Sequence, residues 1–291
     1  MNILEEIAEC AKIRVAGYKA VVTSAEMKRH ALDLPRGNFA FETALKKPWL
    51  SFICECKKAS PSKGLIAENF PHVDIAKAYE SAGADAISVL TEPKYFLGDD
   101  EFLAEIAREV SIPCLRKDFV VDEYMIYQAK ILGTDAVLLI CSILDDVQLK
   151  NFIATCDELG LSALVEAHDE TEIRRALNCG ARVIGVNNRN LKNFSVDMGN
   201  AAKLRELVPP EKIFVSESGV QTPDDVKKIR ALGADAVLIG ETLMRAVDKK
   251  SKLAELRGDG LLLKSNQTVD AIDVTNAQTL SPRTKRLEAD S

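Results

Sequence analysis

One short sequence phrase recurs along this chain of 291 residues and restricts the folds that it can adopt. A glycine, a short polar step and an apolar, β-branched run follow one another at 83–92, 133–140, 180–187 and 233–240. Glycine readily takes the left-handed conformation that ends a helix. The apolar runs lack the strict alternation that is typical of a half-exposed strand. Each phrase therefore predicts a helix that ends at glycine and leads into a strand covered on both faces.

Further apolar runs between these phrases raise the number of predicted strands to eight, between about residues 50 and 240. The runs are 49–56, 111–119, 161–168 and 212–219. Amphipathic stretches separate them, and one begins at Thr222-Pro223, a favourable N-cap followed by proline in the first helical position. Eight βα units of about 25 residues each predict a (β/α)8 TIM barrel. A doubly wound open sheet is the alternative, but the chain carries no G-x-G-x-x-G fingerprint.

The predicted barrel occupies residues 49–255 and leaves a segment at each end. Residues 1–48 contain two predicted helices, one from Ile3 to about Lys19 and one around Ala25–Ala31, and we expect this extension to cap one mouth of the barrel. Residues 256–291 are polar and aperiodic, which predicts a loosely ordered tail.

Composition and charge exclude several classes of protein. The chain is 47% hydrophobic and 28% charged with a formal net charge of −6, which is ordinary for a globular protein and excludes a collagen or a small disulfide scaffold. The acidic balance argues against a nucleic-acid partner, since phosphates need a basic face. No apolar run reaches the roughly 20 residues of a membrane span. Seven scattered cysteines and an acidic N-terminal segment predict reduced thiols in a cytoplasmic protein.

Polar side chains close several predicted strands, at the end where the active sites of such barrels lie. Glu55 and Lys57 are two residues apart and therefore share the inward face of the first strand. The other candidates are Lys117, Glu166, Asn187, Arg189, Glu217 and Glu241. Taken singly, each has an alternative as a charge-balancing or loop residue, and Lys117 with Asp118 could be a solvated pair. Together they predict an active site, because grouped buried charges are costly unless they are used.

Two glycine-containing junctions, Ser218-Gly219 and Gly240-Glu241, indicate a phosphate site. Both precede helix starts after the last two strands, where backbone N–H groups attract anions, although a turn-forming role for the glycines is the alternative. Lys57 and Ser60 of the first loop could complete the ring. The residues thus predict an enzyme for a small phosphorylated substrate, with lysines and carboxylates for proton transfer. They predict no metal, because the carboxylates do not cluster with histidine, and they leave the reaction open.

The motifs resemble those of the indole-3-glycerol phosphate synthase family of tryptophan biosynthesis, from near the N-terminus to about residue 250. The motifs that carry the resemblance are Glu55-x-Lys57-x-x-Ser60-Pro61-Ser62, Leu90-Thr91-Glu92-x-x-Tyr95-Phe96, Arg116-Lys117-Asp118-Phe119, Leu164-Val165-Glu166, Ile184-Gly185-Val186-Asn187-Asn188-Arg189-Asn190-Leu191, Glu217-Ser218-Gly219 and Leu238-Ile239-Gly240-Glu241. The resemblance implies conversion of 1-(2-carboxyphenylamino)-1-deoxyribulose 5-phosphate to indole-3-glycerol phosphate. It implies no cofactor, because ring protonation activates the departing CO₂.

The resemblance also implies roles for individual residues. Lys117 would be the general acid that protonates the ribulose carbonyl, Lys57 the second acid and Glu166 the base, although the two acid roles could be exchanged. The residues that would position the substrate and support the carboxylates of the site are Glu55, Asn187, Arg189 and Glu217. Phosphate would be bound by Lys57, Ser60, Ser218, Gly219, Gly240 and Glu241. An apolar wall for the anthranilate ring would come from Phe96, Phe119 and Leu191.

Two alternative functions stay open. A phosphoribosylanthranilate isomerase, another barrel of the same pathway, would be expected to use a cysteine and an aspartate in place of the Glu55-x-Lys57 pattern. A catalytically inactive phosphosugar-binding barrel would keep the phosphate loops without needing Lys57, Lys117 and Glu166. For this chain we expect a small phosphorylated substrate, a monomer or weak oligomer, and no nucleic-acid or membrane partner.

Overall fold

Eight parallel strands close into a barrel in a computed structural model of the chain, which describes residues 3–190 and 194–258. Around the barrel the strands follow the order β1-β10-β9-β8-β7-β6-β5-β4. Their bounds are β1 (Ser51–Cys56), β4 (Ala86–Leu90), β5 (Cys114–Lys117), β6 (Ala136–Ile140), β7 (Ser162–Ala167), β8 (Val183–Asn187), β9 (Ile213–Glu217) and β10 (Ala236–Ile239). Two short strands, β2 (Ala59–Ser60) and β3 (Gly64–Leu65), form a hairpin after β1. The predicted (β/α)8 barrel is confirmed.

A helix follows each barrel strand on the outer face of the barrel, and three further helices precede β1. The helices within the described residues are α1 (Ile3–Val21), α2 (Ser24–Leu32), α3 (Ala40–Leu45), α4 (His72–Ser81), α5 (Asp100–Glu109), α6 (Glu123–Ile131), α7 (Asp146–Leu159), α8 (Glu170–Asn178), α9 (Gly199–Arg205), α10 (Pro223–Ala231), α11 (Glu241–Arg245) and α12 (Lys249–Arg257). The predicted start of α10 is confirmed, because the Thr222 side chain accepts from the backbone of Asp225 and the Asp225 side chain accepts in return.

The recurring phrase has two structural roles. Its glycine ends a helix in the left-handed region, with φ between 72° and 94° at Gly83, Gly133, Gly180 and Gly233. Its aspartate, where present, ties two neighbouring strands together. The carboxylates of Asp85, Asp135 and Asp235 accept hydrogen bonds of 2.8–2.9 Å from the backbone N–H of Phe52, Cys114 and Phe214, respectively. The repeat therefore marks the starts of alternate strands.

The third copy of the phrase has Arg182 at the aspartate position. This arginine donates to the carboxylate of Glu42 in α3 at 2.9 and 3.0 Å. Phe41 and Leu45 of the same helix are buried in the apolar cluster inside the barrel. Helix α3, which was not predicted from the sequence, thus lies against the end of the barrel where the strands start.

Helix α1 lies at the opposite end. Its Ile7 and Ala11 join the same interior cluster, and Arg14 binds Asp118 after β5 with two hydrogen bonds of 2.7 and 2.8 Å. The N-terminal extension therefore contacts both ends of the barrel.

The outer layer of the core lies between strands and helices and contains all five buried cysteines. All seven cysteines are free thiols, and burial raises the pKa of Cys114 and Cys141 to about 12. These two thiols therefore stay protonated at neutral pH and pack as small apolar groups. Within the described part of the chain no helix combines the length and the hydropathy that crossing a membrane requires.

Candidate active site

A cavity of about 690 Å³ opens at the carboxyl ends of the strands. Every residue that the sequence analysis placed in a site lines this cavity, apart from Leu191, which lies outside the described residues. The predicted site residues among those that line it are Glu55, Lys57, Ser60, Phe96, Lys117, Phe119, Glu166, Asn187, Arg189, Glu217, Ser218, Gly219, Gly240 and Glu241. Among the described residues, no group of three or more His, Cys, Asp or Glu side chains is placed to hold a metal ion.

Lys117 lies at the centre of the cavity, between two buried carboxylates. Its Nζ is 3.2 Å from Oε2 of Glu166 and 3.5 Å from Oε2 of Glu217. Burial alone would lower the pKa of Lys117, but the charges of Glu166, Glu217 and Glu55 raise it above its ordinary value. The side chain is therefore an ammonium group, in a state to donate a proton.

The pKa values of the two carboxylates are shifted in opposite directions, although both side chains are only 2% exposed. Burial raises the pKa of Glu166, but Lys117, His168 and a hydrogen bond from Asn187 together lower it below its ordinary value. The pKa of Glu217 is raised to about 8 by burial and by repulsion from Glu166 and Glu55. Glu166 is thus suited to accept a proton at neutral pH, and Glu217 to hold one.

Two glycines leave space for the buried carboxylates of Glu217 and Glu55. A Cβ atom added at Gly185 of β8 would collide with Oε1 of Glu217, and one added at Gly240 would collide with Oε2 of Glu55. Any other residue at either position would displace a carboxylate. The sequence contains both glycines within apolar runs, but the close approach follows only from the barrel.

A second ion pair lies at the end of β1. Lys57 Nζ is 2.5 Å from Oε2 of Glu55, and their side chains are 17% and 6% exposed. The inward direction predicted for both side chains agrees with their place in the cavity lining. The cavity therefore holds a second ammonium group beside a carboxylate.

The junctions predicted to bind phosphate lie together at one side of the cavity. Ser218 has a φ of 66° and Gly219 a φ of 95°, so the chain turns through the left-handed region after β9. Asn188 holds this turn: its Nδ2 donates to the carbonyl oxygen of Ser218 at 3.3 Å, and its Oδ1 accepts from the backbone of Ala201 at 3.1 Å. No role was predicted for Asn188 from the sequence. Successive backbone N–H groups at such a turn suit an anion.

The remaining candidates differ in what they contact. The rings of Phe96 and Phe119 lie 6.0 Å apart at 39° and form an apolar wall near Ile3 and Leu4 of α1. The Arg189 guanidinium donates to the carbonyl oxygen of Phe194 at 3.3 Å. The Glu241 carboxylate lies 3.1 Å from Nε of Arg245 and 3.6 Å from Nζ of Lys63.

A buried network next to Lys117 was not predicted. The carboxylate of Asp118 accepts from Arg14 and, at 2.6 Å, from Thr91 Oγ1. Arg116, with a side chain 0% exposed, donates to Asp100 at 2.7 Å and to the carbonyl oxygen of Met125 at 2.9 Å. The alternative prediction that Lys117 and Asp118 form a solvated charge pair is therefore wrong, because Asp118 is buried and pairs with arginine.

Comparison with known proteins points to one family. A sequence model described as indole-3-glycerol phosphate synthase matches residues 4–256. A curated relative of that name from Ruminiclostridium cellulolyticum is 57% identical over 257 residues, which cover 88% of this chain and 99% of the relative. Another, from Lachnoclostridium phytofermentans, is 51% identical over 267 residues, which cover 88% of this chain and 98% of the relative.

Solved structures of low identity share the fold. A 3-hexulose-6-phosphate synthase superposes with a TM-score of 0.56 at 15% identity, over 72% of this chain and 99% of its own. A thiamine phosphate pyrophosphorylase from Pyrococcus furiosus superposes with a TM-score of 0.55 at 16% identity, over 72% of this chain and 94% of its own. At such identities the likeness concerns the barrel alone.

Proposed function

The chain belongs to the indole-3-glycerol phosphate synthase family, and from that premise we propose which residues of its cavity perform each step of the reaction. It is an enzyme of this type, a carboxy-lyase of tryptophan biosynthesis. The reaction closes a ring in 1-(2-carboxyphenylamino)-1-deoxyribulose 5-phosphate and releases CO₂ and water to leave indole-3-glycerol phosphate.

The cavity orients the substrate through its two chemically different sides. The phosphate binds beside Ser60, Ser218, Gly219 and Gly240, where backbone N–H groups and Lys57 supply positive potential. The carboxyphenyl ring packs against Phe96 and Phe119 on the apolar side. The ribulose carbonyl then lies between the two, beside Lys117.

Ring closure uses Lys117 as the general acid. The ring carbon that bears the carboxylate forms a bond to the carbonyl carbon, and the carbonyl oxygen takes a proton from the ammonium group. The single observation that carries this assignment is the position of Lys117 Nζ, buried between Glu166 and Glu217 in the centre of the cavity. A proton donor held between two acceptors is restrained in position before substrate arrives.

Loss of CO₂ and of water completes the reaction. The bond between ring and carboxylate breaks, its electron pair returns to the ring, and aromaticity is restored. The new hydroxyl then leaves as water with a proton from Lys57, while Glu166 removes the proton from the neighbouring carbon. The lowered pKa of Glu166 supports its role as the base. Glu217, with a pKa of about 8, donates a hydrogen bond to the sugar hydroxyls in its protonated form.

The described residues favour this reaction over the alternatives from the sequence. Cys54 and Cys56 face the outer layer of the core, and no described residue that lines the cavity is a cysteine, which argues against the isomerase. Both lysines and Glu166 lie in the cavity, which argues against an inactive barrel.

Turnover of the synthetic substrate by the purified chain tests the proposal. Indole-3-glycerol phosphate, followed by its indole fluorescence, and CO₂ are expected to form in equal amounts. The isomerase substrate 5-phosphoribosylanthranilate is expected to be left unchanged. Substrate binding without either product would contradict the proposed chemistry.

A further inference from the structure

His168 lies directly behind Glu166, at the end of β7. The two residues are separated by one position and so point to the same side of the strand. Nε2 of His168 is 3.4 Å from Oε1 of Glu166, while Oε2 of the same carboxylate faces Lys117 at 3.2 Å. The two oxygens of Glu166 thus face different partners. Glu166 lines the cavity and His168 is not among the described residues that do.

The orientation of the His168 ring is determined by Glu172, in the first turn of α8. Oε2 of Glu172 accepts from the backbone N–H of His168 at 2.8 Å and lies 3.0 Å from its Nδ1. On the other side, Asn200 donates to the carbonyl oxygen of His168 at 3.2 Å. Because an ionised carboxylate only accepts, Nδ1 carries a proton. Nε2 is buried and makes no hydrogen bond with a described residue, so it attracts Oε1 of Glu166, 3.4 Å away, through charge and only when the ring is an imidazolium.

We propose that His168 is a positioning residue for the reaction, whose imidazolium holds Oε1 of Glu166, keeps that carboxylate ionised and leaves Oε2 directed at Lys117 and the substrate. This inference rests on the proposed role of Glu166 as the base. His168 acts through Glu166 and does not touch the substrate.

The charges around the ring support the imidazolium. Burial alone would lower the pKa of His168, but its hydrogen bond to Glu172 and the charges of Glu166, Glu172 and Glu217 raise it above the ordinary value. From the turn before α7, Cys141 donates to the carbonyl oxygen of Glu172 at 3.7 Å and is a neutral thiol. Asn200, from α9, is neutral as well. The charged groups that act on the ring are therefore three glutamates, and its neighbours from the turn before α7 and from α9 are neutral.

Proton NMR titration of the histidines tests the pair independently of turnover. The chain has three histidines, His30, His72 and His168, and His168→Gln identifies the signal of the third. Glu166→Gln and Glu172→Gln are each expected to lower the pKa of His168 by about one unit, the usual influence of one close opposite charge. An unchanged pKa in Glu166→Gln would overturn the proposal.

The pH profile of kcat/KM tests the consequence for the reaction. Glutamine at 168 keeps a neutral donor but removes the charge, so Glu166 should take up a proton at higher pH. The acidic limb of His168→Gln is expected to move up by about one pH unit and to rejoin the wild-type profile where the wild-type imidazole is neutral. His72→Gln is the control, because His72 also pairs with a glutamate, Glu105, but outside the cavity.

A profile lowered equally at all pH values would contradict the positioning role, since a merely structural loss does not move a limb. If the wild type makes no indole product, the proposed function fails, while the NMR titration still decides whether His168 and Glu166 are coupled.

Discussion

Oε1 of Glu217 occupies the space that a side chain at Gly185 would need, so that a buried acid on β9 depends on the absence of a Cβ atom on β8. The same relationship holds between Glu55 and Gly240. Since strands β8 and β9 pair with Gly185 beside Val215, the carboxylate is positioned by the register of the barrel. The position of Glu217 is therefore sensitive to a single methyl group.

We predict that Gly185→Ala displaces Glu217 and lowers kcat, and that it destabilises the fold by about 1–3 kcal/mol, as overpacking usually does. Turnover and urea unfolding measure the two effects. Gly17→Ala is the control, because an added Cβ on α1 meets no atom within 4 Å and alanine favours a helix by about 1 kcal/mol over glycine. A Gly185→Ala variant as active and as stable as wild type would contradict the account.

Removal of Arg14 should loosen α1 and destabilise the chain. In Arg14→Met the buried charge of Asp118 loses one of its two arginine partners. We expect the free energy of unfolding to fall by about 3 kcal/mol, the lower end of the range for a broken buried ion pair. Arg29→Met, which breaks an exposed pair with Asp33, should change the free energy of unfolding by less than about 1 kcal/mol. Equal effects of the two substitutions in urea unfolding would contradict the structural role of Arg14.

The cost of Arg14→Met should shrink in acid. Arg14 and Arg116 outweigh burial and lower the pKa of Asp118. A carboxylate whose pKa is lower in the folded than in the unfolded chain stabilises the protein at pH values above its unfolded pKa, which is about 3.9 for aspartate. This stabilisation is lost as the pH falls through the folded pKa. Unfolding of both proteins at pH 7 and at about pH 3 measures the difference. A cost that is equal at the two pH values would contradict the assignment.

The contribution of Glu217 to stability should have the opposite pH dependence and decrease as the pH rises. Its pKa is raised to about 8 in the folded chain, so its stabilising effect is complete below the unfolded pKa of about 4.3 and is lost as the pH rises through 8. Glu217→Gln should therefore lose less stability than wild type between pH 5 and pH 9. Parallel stability curves for the two proteins would show that Glu217 titrates normally.

Asn188 should contribute to phosphate affinity. Asn188→Ala frees the turn at Ser218, and we expect KM to rise about tenfold, equivalent to one hydrogen bond to a charged group, with kcat less affected. Inorganic phosphate should also inhibit the variant less than wild type. A fall in kcat with unchanged KM would instead place Asn188 in the chemistry.

Features that depend on local sequence were predictable, and those that depend on distant contacts were not. The glycine phrases predicted the barrel because helix ends and buried strands are encoded within about ten residues. Polar residues at strand ends predicted which side chains the barrel brings together, since parallel strands end at one edge. Arg14 and Asp118, however, lie 104 positions apart, and no local pattern links them.

His168 and Asn188 show the same limit inside the site. Both follow strand ends, as the predicted residues do, but their roles depend on Glu172 and on the turn at Ser218. Helix α3 was missed because six residues are too few for a clear helical period.

The most direct test of the account compares Lys117→Ala with wild type in a single-turnover indole fluorescence assay. The variant should bind substrate with little change in affinity and form product about 10²–10⁴-fold more slowly, the usual contribution of a positioned acid. A near-normal rate of indole formation by Lys117→Ala would contradict the central claim that this ammonium group drives ring closure.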